Sequence, residues 1–158
     1  MKNKIIFRKA KLSDLKNFEI IRQEKLNKLH ISRLKAQKEG KGYYVICFLG
    51  KKPIGHVLIY YRGEYKWHEC PAIVDLYVKE SEREKGIATK LMKYAENIIK
   101  KEGYNKICLD VGISEKLLKK FYEKLGYAKV SGPYIMKYFL EDKNKTITEK
   151  INYFEKEI

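Results

Sequence analysis

The feature that most constrains the fold lies at residues 72–102, where a strand-like run leads through a charged loop into a long helix. The run AIVDLYV, residues 72–78, has the β-branched and aromatic content of a buried strand. A lysine- and glutamate-rich loop with one glycine, Gly86, follows it, and the apolar residues of 86–102 recur at helical spacing. A strand that leads into an amphipathic helix predicts a sheet covered by helices.

The remaining segments extend this pattern in both directions along the chain. We predict a strand at 4–10, helices at 12–26 and 30–40, a hairpin at 43–63 that turns around 50–53, a strand at 106–112, a helix at 114–126 and two strands within 127–140. This order predicts an α/β (α+β) fold. Its mixed, mostly antiparallel twisted sheet has about six to seven strands flanked by helices.

The end of the chain is predicted to be helical. Residues 146–158 carry apolar side chains in near-helical register at Ile147, Ile151, Phe154 and Ile158. Thr146 and Glu149 have the spacing of a capping box at the start of such a helix. We therefore predict a single domain at residues 1–141 and a C-terminal helical extension at 142–158. The extension would pack on the domain or on a second subunit, so the chain is expected to be a monomer or a homodimer.

The charge of the chain is strongly positive, with 35 Lys and Arg against 20 Asp and Glu and a net charge of +15. Such a charge favours anionic partners, including nucleic acid, acidic lipid and phosphorylated cofactors. The lysines are scattered among glutamates, however, and no block of five or six like charges occurs. We interpret the charge as surface composition, and nucleic acid is not an expected partner because no recognised nucleic-acid motif is present.

The composition also indicates a cytoplasmic protein. No apolar run approaches the roughly 20 residues that a membrane helix needs, so no membrane partner is expected. The N-terminus lacks the apolar segment of a signal peptide. The three cysteines, Cys47, Cys70 and Cys108, have no metal-ligand spacing. A reducing compartment without a bound metal is the simplest interpretation.

The loop around Gly86 has the chemistry of a phosphate site. The first backbone N–H groups of a helix have no partner within it and lie at the positive end of its dipole. Gly86 and Ala88 leave room for a phosphate, and Arg83 and Lys85 add positive charge. A solvated lysine-rich turn is the competing interpretation. No nucleotide-binding glycine motif is present, so an NTPase or a dinucleotide-binding protein is not indicated.

Two segments resemble the GNAT superfamily of N-acetyltransferases. REKGIA, residues 83–88, resembles its [RQ]-x-x-G-x-[GA] motif, and the strand, loop and helix around it match the family's arrangement. About 35 residues later, KKFYEKLGYAKV at 119–130 resembles the family's helix-to-strand segment. The resemblance covers roughly residues 4–140 and implies a GNAT-like acetyltransferase domain.

The resemblance implies acetyl-CoA as co-substrate, with no metal. The pyrophosphate is expected on the backbone amides of residues 85–89, and the pantetheine arm along residues 76–78. The cofactor-binding residues that the resemblance implies are Leu76, Tyr77, Val78, Arg83, Glu84, Lys85, Gly86, Ile87, Ala88, Thr89 and Tyr122.

The reaction that the resemblance implies is direct transfer of an acetyl group to a primary amine. The amine attacks the thioester carbonyl, the oxyanion is stabilised by a backbone N–H near Val78, and CoA thiolate leaves. Tyr122 occupies the position of the family's tyrosine acid, which protonates the thiolate. Simple packing beside Phe121 and Leu125 is the alternative role for this tyrosine.

The proton acceptor is less apparent. Many relatives carry a glutamate where this chain has Ala72. We predict that Glu69 replaces it and acts through a water molecule. Asp75, a carboxylate within the strand, is one alternative. His56 and His68 are others, because histidines titrate near neutral pH.

The acceptor is expected to bind near residues 26–32 and 60–69, which are rich in aromatic side chains. A peptide α-amine or a small-molecule amine fits this basic chain better than a polyamine does. Glu115 and Leu118 stand where the family often has asparagine and alanine, so the detailed cofactor contacts differ. A non-catalytic CoA- or acyl-CoA-binding module is therefore the alternative function.

Overall fold

The computed structural model describes residues 4–158, which form one seven-stranded sheet flanked by four α-helices. The elements are β1 (Ile5–Lys9), α1 (Leu15–Arg22), α2 (Asn27–Lys38), β2 (Gly42–Leu49), β3 (Lys52–Tyr60), β4 (Ala72–Val78), α3 (Ile87–Lys101), β5 (Lys106–Gly112), α4 (Lys116–Lys124), β6 (Ala128–Leu140) and β7 (Lys145–Glu157). The strand order is β1-β2-β3-β4-β5-β7-β6. The predicted mixed, mostly antiparallel sheet is confirmed, because only β4 and β5 pair in parallel.

The central strands β2, β3 and β5 are buried on both faces, which explains their near-continuous apolar runs. Leu91 and Ile99 of α3 pack with Leu109 of β5 on one face. Phe18 of α1 packs with Tyr44 of β2 on the other face, with their rings 4.7 Å apart. None of the helices within residues 4–158 combines the length and hydropathy that a membrane span requires.

The predicted helical tail is wrong, because residues 145–157 form strand β7 between β5 and β6. Thr146 pairs with Phe139 and Glu149 with Met136, so they form no capping box. The apolar spacing of the tail also fits a strand, whose side chains alternate between two faces. The partner strands decide the outcome. β7 pairs along all of β5 and along most of β6, and Ile151, Tyr153 and Phe154 become buried there.

A second correction concerns residues 127–140, which were predicted to form two strands. They form the single strand β6, and the register with β7 shifts between Lys129 and Tyr134. The Ser131-Gly132-Pro133 segment therefore produces a bulge and not a turn. The resulting long β6–β7 hairpin has its tip at residues 141–144.

The opening between β4 and β5 positions the candidate site. These two strands share one pairing, Ala72 with Cys108, and make no further pairing towards their C-terminal ends. Backbone groups at the C-terminal half of β4 therefore have no strand partner on the β5 side. A ligand with amide groups can occupy that edge as an additional strand does.

Candidate active site

β4 carries a bulge in its pairing with β3, on the edge away from this opening. His56 of β3 pairs with Tyr77 and Leu58 pairs with Val74, so Asp75 and Leu76 together oppose one residue of β3. Asp75 has a φ of 55°, in the left-handed region. A bulge of this kind redirects the peptide groups that follow it.

The loop after β4 leads to an uncapped helix start. Gly86 has a φ of 82° and precedes the first residue of α3, and this left-handed conformation favours glycine. Within residues 4–158 no side chain caps α3, so its first N–H groups stay available to a ligand. Arg83 fastens the loop to β4, because its Nε donates a hydrogen bond of 2.9 Å to the carbonyl oxygen of Val78.

A cavity of about 520 Å³ lies where the end of β4, this loop, the start of α3 and one face of α4 meet. The predicted cofactor-binding residues that line it are Leu76, Tyr77, Val78, Arg83, Glu84, Gly86, Ile87, Ala88 and Thr89. Lys85 instead turns to Glu82, with 3.0 Å between Nζ and Oε2. Leu118 and Phe121 of α4 also line the cavity, and the sequence analysis did not assign them to the cofactor. Leu118 and Phe121 are three residues apart, so they lie on the same face of a helix, and this spacing could have indicated that both line one surface.

Tyr122 follows Phe121 in α4 but does not itself line this cavity, and it is almost fully buried, with 5% of its surface exposed. Its ring packs against Phe121 and Tyr127, with centroids 5.2 and 5.7 Å away. Burial, with a smaller effect from the charge of Asp75, raises the pKa of Tyr122 above its usual value. The hydroxyl is therefore protonated at neutral pH and can donate a proton or a hydrogen bond.

Glu69 lies in the loop before β4 and is exposed. It lines a different depression, of about 580 Å³, together with Tyr61, Tyr104 and Lys106. It does not line the cavity at Gly86. The structure thus brings nine of the eleven predicted cofactor residues together in one cavity, whereas Lys85, Tyr122 and Glu69 do not line it.

A carboxylate on β5, that of Asp110, was not predicted from the sequence. Asp110 lies two residues beyond the last β4–β5 pairing, on the face opposite Leu109. Its two oxygens accept hydrogen bonds from Trp67 Nε1 at 2.8 Å and His68 Nε2 at 2.7 Å. An acidic residue inside the apolar run KICLDVG was the signal that could have identified it.

His68 has a structural role in this arrangement. Its Nδ1 accepts hydrogen bonds from the backbone N–H groups of Glu64 (2.8 Å) and Tyr65 (3.1 Å). The ring proton is therefore on Nε2, which donates to Asp110. Both ring nitrogens are occupied, so His68 fixes the loop and the Asp110 carboxylate.

Two further alternatives for the proton acceptor, Asp75 and His56, have pKa values that their surroundings shift. Asp75 is ion-paired with Arg22 and Arg33. Burial alone would raise its pKa, but Arg33 and Arg22 together lower that pKa well below its usual range. His56 is fully buried, and burial lowers its pKa to about 3. Asp75 is therefore charged and His56 neutral at pH 7.

Aromatic side chains line the face of the sheet that α1 and α2 cover. Trp67 is stacked between Tyr65 and Tyr134, with both ring centroids 4.8 Å away. The tip of the β6–β7 hairpin reaches α2, where the Asp142 carboxylate accepts hydrogen bonds from the N–H groups of Lys28 and Leu29. Residues 4–158 contain no group of three His, Cys, Asp or Glu side chains arranged to hold a metal ion.

Comparison with known proteins agrees with this geometry. The family model described as "Acetyltransferase (GNAT) family" matches residues 11–127. A search of the curated proteins gives no match.

Solved structures with a similar fold include three N-acetyltransferases. The paia N-acetyltransferase from Thermoplasma acidophilum, in complex with coenzyme A, has a TM-score of 0.73 and 18% identity, over 98% of this chain and 99% of that chain. The N-acetyltransferase from Staphylococcus aureus Mu50 has a TM-score of 0.73 and 14% identity, over 98% of each chain. The ribosomal-protein-S18-alanine N-acetyltransferase from Escherichia coli has a TM-score of 0.72 and 14% identity, over 98% of this chain and 94% of that chain. At these identities the likeness establishes the fold.

Proposed function

The chain belongs to the Acetyltransferase (GNAT) family, and on that premise we propose that it is an acetyl-CoA-dependent N-acetyltransferase that transfers acetyl directly to a primary amine. The observation that carries the proposal is the cavity in which the open edge of β4, the Arg83–Gly86 loop and the uncapped start of α3 meet. Each of these three parts suits one portion of acetyl-CoA.

The pyrophosphate suits the start of α3. Its free N–H groups, the helix dipole and the Arg83 guanidinium all favour a negative charge there. The pantetheine arm suits residues 76–78, because its amides can pair with backbone groups of β4 that no strand occupies. Leu118 and Phe121 offer the arm an apolar wall.

Direct transfer assigns a role to each group near the thioester. The neutral amine nitrogen attacks the carbonyl carbon, and a backbone N–H near Val78 donates to the oxyanion that forms. The C–S bond then breaks, the CoA thiolate takes a proton from the Tyr122 hydroxyl, and the proton that the nitrogen loses as the amide forms returns to the tyrosinate through water. Burial keeps the Tyr122 hydroxyl protonated but also makes it a weaker acid, so the proposed role is supported by the position that the GNAT resemblance gives to Tyr122 and not by its pKa.

The ammonium form of the acceptor must first lose a proton. Glu69 was predicted for this step, but its place in a separate depression gives it little support. We propose Asp110 instead, because it lies beside the opening between β4 and β5 and is held by Trp67 and His68. A carboxylate there also attracts a cationic amine.

The acceptor is proposed to be a peptide α-amine or a small-molecule amine that binds on the face bordered by α2 and the β6–β7 hairpin. The Tyr65–Trp67–Tyr134 stack supports this location, because aromatic faces suit apolar side chains and cations. An α-amine deprotonates readily, since its reference pKa is about 8. A cytoplasmic location and a monomeric or homodimeric state remain predictions from the sequence.

The proposal is tested first by thermal unfolding with acetyl-CoA, with ATP as the anionic control. At about 100 times Kd, binding adds roughly 2.7 kcal/mol and raises Tm by several degrees. A rise with acetyl-CoA alone, followed by amine-dependent release of free CoA thiol, is the expected result. Equal rises in Tm with both ligands would mean that the positively charged chain binds phosphate groups without distinguishing acetyl-CoA from ATP. Binding without thiol release for any amine would favour the non-catalytic CoA-binding module.

A further inference from the structure

Asp75 has an unusual backbone conformation in the middle of β4. Its φ of 55° lies in the left-handed region, which non-glycine residues adopt rarely and aspartate and asparagine more often than most. A residue in the middle of a strand keeps this conformation only where the surrounding structure holds it.

Two arginines from different helices hold the Asp75 carboxylate. Arg22, the last residue of α1, places Nη1 at 3.1 and 2.9 Å from the two carboxylate oxygens. Arg33 of α2 places Nη1 at 2.6 Å from Oδ2. The two arginine side chains are only 16% and 10% exposed, so water screens these ion pairs weakly. One carboxylate thus joins both helices to the bulge of β4.

The ion pairs of Asp75 are connected to the cavity through Tyr77, which contacts Arg22 and lines the cavity. The Arg22 guanidinium carbon lies 4.3 Å from the centroid of the Tyr77 ring, and that of Arg83 lies 5.1 Å from the same centroid. Arg83 also donates a hydrogen bond to the carbonyl oxygen of Val78. Tyr77 and Arg83 both line the cavity. The bulge, the end of β4 and the loop before α3 therefore form one connected set of contacts.

We propose that Asp75 is a positioning residue for the cofactor. Its ion pairs with Arg22 and Arg33 keep the bulge in the conformation that directs the peptide groups of residues 76–78 towards acetyl-CoA and seats Tyr77 beside Arg83. Asp75 exchanges no proton with the substrates. The inference rests on the proposed function in that its ligand is acetyl-CoA.

The test is Asp75→Asn, which keeps the size and the tolerance for a left-handed backbone and removes the charge. We expect Kd for coenzyme A, measured by titration calorimetry, to rise at least tenfold and kcat to fall. The matched control is Asp14→Asn. Asp14 is also buried and accepts two 2.7 Å hydrogen bonds from Arg8, but Arg8 is on β1 at the far edge of the sheet. That variant should lower Tm and leave Kd and kcat within twofold of wild type.

A second variant, Arg22→Gln, keeps the proposal testable if Asp75→Asn does not fold. It removes one ion pair and one of the two cations beside Tyr77 and leaves Arg33 and Arg83 in place, so a rise in Kd of about threefold or more is expected. Wild-type affinity in the folded variants, together with a lowered Tm, would overturn the proposal, because Asp75 would then only stabilise the fold. Failure of the wild-type protein to bind coenzyme A would instead overturn the proposed function, and this inference with it.

Discussion

At the scale of single residues, Tyr122 and Asp110 carry the proposed chemistry. Tyr122→Phe removes a hydroxyl that burial keeps protonated, and it keeps the ring that packs on Phe121 and Tyr127. We expect the transfer rate to fall by about 10²-fold or more, as is typical when a general acid is lost. Affinity for coenzyme A should stay nearly the same. Single-turnover release of thiol measures the rate, and an unchanged rate with chemistry limiting would remove Tyr122 from the mechanism.

Asp110→Asn and Glu69→Gln separate the two candidates for the proton acceptor. The first substitution keeps the size of the side chain and removes the charge, although its NH2 group replaces one of the two oxygens that accept from Trp67 and His68. We expect kcat/KM for the amine to fall by about 10²-fold or more near neutral pH. It should recover partly at high pH, where the amine is already neutral. Glu69→Gln should have less than a threefold effect. The reverse order of losses would return the role to Glu69.

At the scale of elements, the β6–β7 hairpin supplies the cap that α2 lacks. Leu26 stands at the N-cap of α2 and has no polar side chain, so the free N–H groups of Lys28 and Leu29 depend on Asp142. These partners are more than 110 residues apart in the chain. The hairpin tip therefore joins the end of the sheet to the helix that borders the proposed acceptor face.

Asp142→Ala should lower the free energy of unfolding by about 0.5–2 kcal/mol, the usual cost of losing an N-cap. Glu141→Ala in the same turn is the control. Its ion pair with Lys28 is long, at 3.8 Å, and exposed, so its loss should cost less than about 0.5 kcal/mol. Urea unfolding measures both values. Equal losses in the two variants would show that the cap contributes nothing specific.

At the scale of the whole molecule, buried histidines make stability depend on pH. Burial lowers the pKa of His56 to about 3 and that of His30 to about 4, whereas both are near 6.5 when unfolded. Protonation therefore favours the unfolded state. Their contribution is complete above about pH 6.5 and is lost as the pH falls below it. Asp75 acts in the same direction at lower pH, because the contribution of its lowered pKa is complete above the unfolded value of about 3.9 and is lost progressively as the pH falls below it.

We expect the free energy of unfolding to fall between pH 6.5 and 5 with a slope approaching about 1.4 kcal/mol per pH unit for each of the two histidines. Urea unfolding over this range measures the slope. His30→Gln should reduce it by about half, because one titrating group remains. A flat profile in the wild-type protein would contradict the neutral, buried state of both rings.

The sequence alone determined the parts of the protein that neighbouring residues specify. The β2–β3 hairpin, the strand before the loop and helix α3 follow from local periodicity and from Gly86, whose left-handed conformation suits a glycine. Nine positions assigned to the cofactor line one cavity because they are close together in the chain, within residues 76–89.

Only the tertiary structure decided the features that depend on distant partners. The apolar spacing of residues 146–158 suits either a helix or a strand, and pairing with β5 and β6 selected the strand. The bonds from Trp67 to Asp110 and from Arg33 to Asp75 join residues more than 40 positions apart, so no local pattern indicates them. Burial and ion pairing arise only when the chain is folded, and here they determine which carboxylates and histidines are available for chemistry.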